Sequence, residues 1–192
     1  MNPLDLVGEM GRLFDEIGVD WVLGGSMASS VTGQPRATMD VDIAVRMGLD
    51  DVRNLVNAVT PGYYASETMI REAVGHRSSF NLIRLDGVLR VDVFVLGDDP
   101  LDRRQMDRRV LVEVPGTDAP IRIWVGSPED QVLRKLHWFH RGGEVSDRQW
   151  GDVLGLLKVQ AATIDLADVL RTAAKLGIGD LAVRAIAEAG LG

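Results

Sequence analysis

The chain has 192 residues, of which 46% are apolar and 26% charged, with a formal net charge of −7 at neutral pH. That length accommodates one α/β domain with a helical appendage, and the mixture is that of a folded rather than a disordered chain. Cysteine is absent, which excludes disulfides, thiolate zinc sites, iron–sulfur clusters and a cysteine nucleophile, and the acidic balance argues against a general coater of nucleic acid.

Asp5, Glu9, Asp15 and Glu16 stand where a signal peptide would need a basic start and an apolar core. No apolar run approaches the roughly 20 residues that span a bilayer. The expected location is therefore cytoplasmic, with no membrane partner. Asn2-Pro3 reads as an N-cap and first-turn pair opening a helix. Leu4, Val7, Met10, Phe14 and Ile17 give that helix its apolar stripe, and Gly18 closes it. Asp20 to Leu23 reads as a short buried strand ending at Gly24-Gly25, and Ser26 to Val31 as a short helix. A turn over Gly33 to Pro35 leads into Thr38 to Arg46, where Met39, Val41, Ile43 and Val45 alternate as in a strand.

Leu49 to Val59 and Ser66 to Val74 are helical in pattern. Asp86-Gly87 then predicts a hairpin turn between SSFNLIRL and VLRVDVFVL. Arg103, Arg104, Arg108 and Arg109 cluster close by Asp102 and Asp107, which reads as a solvated face. A second strand pair, RVLVEV and IRIWV, flanks the turn-rich PGTDAP. Ser127-Pro128-Glu129-Asp130 opens a helix, and helical patterns continue to the end with breaks near Gly142-Gly143, Thr163 to Asp165 and Gly177 to Gly179. The expected fold class is α+β with a mixed central sheet. An α/β core over residues 1–125 is expected to carry a helical region, 126–192, packed on it in one integrated unit.

The chemistry concentrates in a few acidic residues. Asp40 and Asp42 are spaced i, i+2, so on a strand both carboxylates project from one face while Val41, Ile43 and Val45 pack on the other. At a separation of about 6 Å the two charges repel by roughly 3 kcal/mol at an effective dielectric near 20. A divalent cation between them reverses that cost, and an all-oxygen site suits Mg²⁺. Upstream, Leu23-Gly24-Gly25-Ser26 sits at a strand-to-helix junction, where glycine admits a phosphate and the helix start offers N–H donors. Downstream, Asp92 interrupts an apolar strand, sharing a face with Arg90 and Phe94. A lone carboxylate there needs a partner, solvent or a metal.

Together these features resemble the DNA polymerase β-like nucleotidyltransferase superfamily. Its pattern is a hydrophobic residue, Gly, Gly or Ser, a spacer, Asp-x-Asp on a strand and a third carboxylate on a neighbouring strand. Here that reads Leu23-Gly24-Gly25-Ser26, thirteen residues, Asp40-Val41-Asp42, then Asp92. The stretch GGSMASSVTGQPRATMDVDIAV is similar to that of minimal bacterial members, including those grouped with abortive-infection toxins. So is the tail, SPEDQVLRKLHWF followed by SDRQWGDVLGLLK.

The resemblance implies a Mg²⁺- or Mn²⁺-dependent transfer of an NMP unit from an NTP, ATP among them, to a hydroxyl acceptor, releasing pyrophosphate. It places Asp40 and Asp42 on two metal ions, with Asp92 on the ion that activates the attacking hydroxyl. Gly24, Gly25 and Ser26 would meet the triphosphate. Arg36 and Thr38, in the turn feeding the catalytic strand, serve phosphate or structure. Lys135 is a further phosphate candidate or an ordinary surface lysine. The acceptor is an RNA end such as that of tRNA, a protein or a small molecule. Two rival readings are a partner- or nucleotide-binding module without turnover, and a toxin held by a separate antitoxin protein. Arg148 and Asp152, spaced i, i+4, are expected to form an intrahelical ion pair. His137 and His140 make at most a weak metal pair, and His76 reads as a loop residue.

Overall fold

The computed structural model describes residues 2–33, 39–86 and 89–192. By its internal contacts the chain divides into two units, one of Met1–Met27 with Ala37–Val125, the other of Ala28–Arg36 with Gly126–Gly192.

In the first unit α1 (Pro3–Glu16) precedes β1 (Asp20–Leu23), and α2 (Gly25–Thr32) begins directly after it, with the boundary between units falling inside that helix. Next come β2 (Val41–Arg46), α3 (Asp51–Val59), β3 (Tyr63–Tyr64), α4 (Glu67–His76), β4 (Ser79–Arg84) and β5 (Arg90–Val95). The unit closes with α5 (Pro100–Asp107), β6 (Val110–Val114) and β7 (Ile121–Val125). The strands form one mixed sheet in the order β3-β4-β5-β2-β1-β7-β6. Local hairpins supply β4–β5 and β6–β7, both antiparallel. The centre of the sheet comes from longer connections, with β2 parallel to β5 and β1 parallel to β7.

Alternation along the strands decides what is buried. Trp21, Leu23, Val41, Ile43, Val45, Val91, Val93, Val95, Phe80 and Leu82 are all buried. Helix α1 packs Leu6, Val7, Met10 and Phe14 inward, so the expected stripe holds at Val7, Met10 and Phe14, with Leu6 added and Leu4 and Ile17 only half-buried at the helix ends. Gly8 and Gly11 lie on the packed side as well, where a Cβ would come within 2.6 Å of Ile121 and 2.3 Å of Trp21. On the opposite face of the sheet α5 seals one end, where Met106 joins Val22, Ala44 and Leu96. That helix and the two-residue β3 were not read from the sequence, although Asp99-Pro100 is a cap and first-turn signal that α5 uses.

Asn2 caps α1 in a reciprocal box with Asp5, and the Asp5 carboxylate also accepts the backbone N–H of Thr117 at 2.9 Å together with its hydroxyl. Those Thr117 hydrogen bonds hold the Asp5 carboxyl below the ordinary aspartate range. A lowered folded-state pKa contributes stability above the unfolded pKa, and that contribution is lost as pH falls through the folded value. Asp5→Asn is thus expected to lower the melting temperature at neutral pH and to show a flatter decline than the parent below about pH 4. Melting curves from pH 7 down to pH 2 check this; parallel profiles for the two proteins would remove Asp5 from the acid response.

The second unit is helical: the latter part of α2, then α6 (Pro128–Arg141), α7 (Asp147–Val159), α8 (Leu166–Lys175) and α9 (Gly179–Glu188). Ser127 caps α6 by accepting from the N–H of Asp130, and Ser146 and Asp165 cap α7 and α8 in the same way. The interhelical breaks fall where the glycines and the Thr163–Asp165 stretch placed them. Leu133, Leu136, Leu156, Leu157, Val169 and Ala182 fill the interior. Phe139 packs against Trp150, and the Arg184 guanidinium lies 3.9 Å from the Trp150 ring centre. Among the described residues no helix is long and apolar enough to cross a membrane.

Candidate active site

The site is built where β1 ends and β2 and β5 begin. Strand β2 starts at Val41, so Asp42 stands on the strand while Asp40 precedes it in exposed chain. Val41, Ile43 and Val45 are buried on one face, which turns Asp42 to the other. On β5 the same alternation buries Val91, Val93 and Val95 and leaves Asp92 opposite them. The parallel register pairs Asp42 with Asp92, and across the antiparallel side Asp92 pairs with Asn81. Three polar side chains thus stand in one row on one face of three neighbouring strands. Adjacent strands lie about 4.8 Å apart, so Asp42 and Asp92 repel by roughly 3 kcal/mol at an effective dielectric near 20.

Both oxygens of Asp92 are engaged. Arg90 donates from Nη2 to Oδ2 at 3.3 Å, with the arginine side chain 60% exposed and the aspartate 20%. The Asn81 amide nitrogen lies 2.7 Å from Oδ1; the reverse amide orientation would set its oxygen against the carboxylate, so the nitrogen faces Asp92. The pairing of Asp92 with Arg90 supplies the partner that a carboxylate inside an apolar strand requires.

Next to this row the chain turns from β1 into α2. The Gly24 N–H donates to the Asp42 carbonyl at 2.8 Å, extending the β1–β2 ladder by one residue. Gly25 has φ +59°, a left-handed conformation that favours glycine. A Cβ at Gly25 would fall 1.8 Å from Asp42 Oδ2, whereas one at Gly24 would meet only ordinary contact, 3.6 Å from the nearest atom. The two glycines are therefore not equivalent. Gly25 makes room for the Asp42 carboxylate, which takes the space a side chain would fill, and Gly24 continues a strand.

Among the described residues no three Asp, Glu or His side chains are gathered closely enough to enclose a metal ion by themselves. What is present is a register-matched pair of hard oxygen donors with a side-chain-free backbone beside it and a third carboxylate, Asp40, two residues upstream. By the chemistry of its donors that set fits an open, oxygen-ligated Mg²⁺ or Mn²⁺ site, in which phosphate oxygens and water would have to supply the remaining positions.

Other expected residues fall elsewhere. Arg36 and Thr38 lie outside the described residues. Ser26 is half-buried in the first turn of α2. Lys135 belongs to the second unit, where its ammonium meets Asp152 at 2.9 Å with both side chains about 15% exposed. Asp152 thus meets a cation from the neighbouring α6. His140 bonds through Nδ1 to Glu144 at 2.8 Å, and His76, the last residue of α4, contacts the Glu72 carbonyl. Of the arginine run, Arg109 is structural: it donates to Asp20 at 2.6 Å and stacks 4.9 Å from the Trp124 ring centre.

Asn81 was missed in the sequence reading, yet a signal for it existed. Counting five residues outward on each side of Asp86-Gly87 brings Asn81 opposite Asp92, the pairing that the structure shows. A two-residue hairpin loop sets the register of its strands.

No family model and no curated protein matches the sequence. Solved structures do. An antigenic nucleotidyltransferase-like protein from Paracoccidioides brasiliensis is 17% identical with a TM-score of 0.55, the match covering 94% of this chain and 91% of that one. The antibiotic-resistance factor ANT(2'')-Ia is 12% identical with a TM-score of 0.51, covering 95% of this chain and 96% of that one. The likeness is one of backbone architecture, and both alignments run through nearly the whole of each chain. The mixed sheet with its flanking helices is the nucleotidyltransferase fold.

Proposed function

We propose that the protein is a divalent-metal-dependent nucleotidyltransferase that moves an NMP unit from an NTP to a hydroxyl acceptor. The observation that carries this reading is the register pairing of Asp42 with Asp92 beside Gly25, whose lack of a side chain lets the Asp42 carboxylate lie against the strand-to-helix turn. The nucleotidyltransferase fold of the chain supports it.

Asp40, Asp42 and Asp92 would hold the cations. When bound, Mg²⁺ or Mn²⁺ supplies charge neutralisation between the carboxylates and Lewis acidity at the phosphoryl oxygens. Gly25 lets the triphosphate come close to the backbone, and Ser26 with the first N–H groups of α2 offers hydrogen-bond donors to it. In the transfer, an acceptor oxygen bonds to the α-phosphorus as the bond to pyrophosphate breaks, and the hydroxyl proton leaves to solvent. The protein contributes position and charge, the usual source of rate in phosphoryl chemistry. Arg36 and Thr38 are further phosphate candidates.

Charge and the neighbours bear on which acceptors to test. A net charge of −7 disfavours a long polyanion track, which leaves a small molecule, a protein hydroxyl or a single RNA end. The likeness to an antibiotic-resistance factor brings small molecules into the test. Incubation with each labelled NTP, Mg²⁺ and cell extract, followed by identification of the labelled species, tests transfer and acceptor together. Label found in no species, with no pyrophosphate released, would defeat the proposal. Growth arrest on expression, relieved by a co-expressed small protein, would add a toxin–antitoxin role.

The Arg90–Asp92 pair favours one second reading, a nucleotide-binding module without turnover, because a guanidinium already satisfies the Asp92 carboxylate. Pyrophosphate release separates the two. Metal linkage is checked at Asp42: Asp42→Asn is expected to weaken Mg²⁺–NTP binding at least tenfold in calorimetry, since it removes one of two charges facing the cation. Binding as tight as the parent's would take Asp42 out of the metal site.

A further inference from the structure

On the reading of Asp92 as a metal-holding carboxylate given above, we infer that Asn81 is a positioning residue which, with Arg90, fixes the plane of the Asp92 carboxylate for the cation. Three observations carry this. Asn81 is the cross-strand partner of Asp92, on the strand beyond it from Asp42. Its amide nitrogen lies 2.7 Å from Oδ1 while Arg90 engages Oδ2 at 3.3 Å. Each Asp92 oxygen therefore carries one donor, and the torsion about the bond to the carboxylate is held from both sides.

The chemistry of the two donors differs. An ionised carboxylate has about four lone-pair sites, so two donors leave roughly two for a cation. The Arg90 guanidinium is exposed and positively charged; it competes with an incoming metal for the same negative charge and can swing into solvent. The Asn81 amide is neutral. It orients the carboxylate without neutralising it, and its short side chain is tied to the β4–β5 register. A hydrogen bond that orients a metal-holding carboxylate is worth about 10- to 100-fold in metal affinity or activity. Asn81 is thus the partner that persists when the cation arrives, whereas Arg90 is the one that yields.

The test uses the full chain and Mn²⁺ as probe. Free Mn²⁺ is followed by electron paramagnetic resonance in the absence of nucleotide, for the parent, Asp92→Asn, Asn81→Leu and Asn81→Ser. Leucine keeps the approximate size of asparagine and removes the donor; serine restores a donor hydroxyl. Position 81 is exposed on β4, so the melting temperature should move by only a few degrees in either variant. Asn81→Leu is expected to raise the Mn²⁺ dissociation constant about tenfold, and Asn81→Ser to recover most of that loss. With an NTP and an acceptor, kcat for Asn81→Leu should fall about 10- to 100-fold while KM for the NTP stays within about twofold. Parental Mn²⁺ affinity in Asn81→Leu, alongside a clear loss in Asp92→Asn, would overturn the role of Asn81 and leave the proposed activity standing. A parent that binds Mn²⁺ but releases no pyrophosphate would overturn the activity, and the Mn²⁺ comparison would still judge Asn81. Absence of Mn²⁺ binding by the parent would overturn both.

Discussion

Replacing Asp92 by asparagine is expected to reduce nucleotidyl transfer by about two to three orders of magnitude while leaving affinity for Mg²⁺–NTP within a few-fold of the parent. Asparagine keeps the shape and one acceptor oxygen but removes the charge that favours a second cation. Asp42, with Asp40, still serves the cation that accompanies the triphosphate, so ground-state binding persists and the loss appears in kcat. Stability is expected to change little. The Arg90–Asp92 pair involves a 60% exposed guanidinium, and such pairs contribute about 1 kcal/mol or less. Relief of repulsion with Asp42 offsets part of that. Melting temperature, nucleotide affinity and single-turnover rate measured on one preparation separate the roles. A lowered melting temperature with parental turnover per folded molecule would make Asp92 a structural partner of Arg90, and Asp92 would leave the mechanism.

The second large effect is expected at Gly25, and alanine is enough to produce it. The new methyl group would lie 1.8 Å from Asp42 Oδ2, so the short Asp42 side chain must move. The left-handed backbone, φ +59°, adds roughly 1–2 kcal/mol of strain for any residue with a Cβ. Gly25→Ala should thus lower stability by about that amount and lower metal–nucleotide affinity of the folded fraction at least tenfold, because it displaces the Asp42 carboxylate. Gly24→Ala is the internal control. Its Cβ meets only ordinary contacts, so affinity should stay near that of the parent and any cost should appear in the strand alone. Calorimetry on both variants, corrected for the folded fraction, distinguishes them. Equal losses at the two positions would mean that the glycines serve the turn and not the site.

The contrast between these two glycines shows where the chain could be read from its letters and where it could not. Local signals determined the elements: the Asn2 cap, the alternation of Val41, Ile43 and Val45, the Asp86-Gly87 hairpin signal, and the Ser127-Pro128 helix start all describe interactions within a few residues. Each matches an element in the structure, since capping and alternation depend on neighbouring residues alone. The acidic motif was legible for the same reason, as was the face that Asp42 and Asp92 take on their strands. The tertiary structure alone decided which strands meet. Parallel pairing of β2 with β5 joins segments about fifty residues apart, and no local propensity encodes it. That pairing puts Asp42 beside Asp92, and with the hairpin register it brings Asn81 into the same row. It also gave Lys135 to Asp152 and Arg109 to Asp20 and Trp124, contacts between elements that are remote in sequence. The demand on Gly25 belongs to this second class. A positive φ is a local property, but the Asp42 carboxylate that fills the space of its missing side chain arrives only when β1 and β2 have paired.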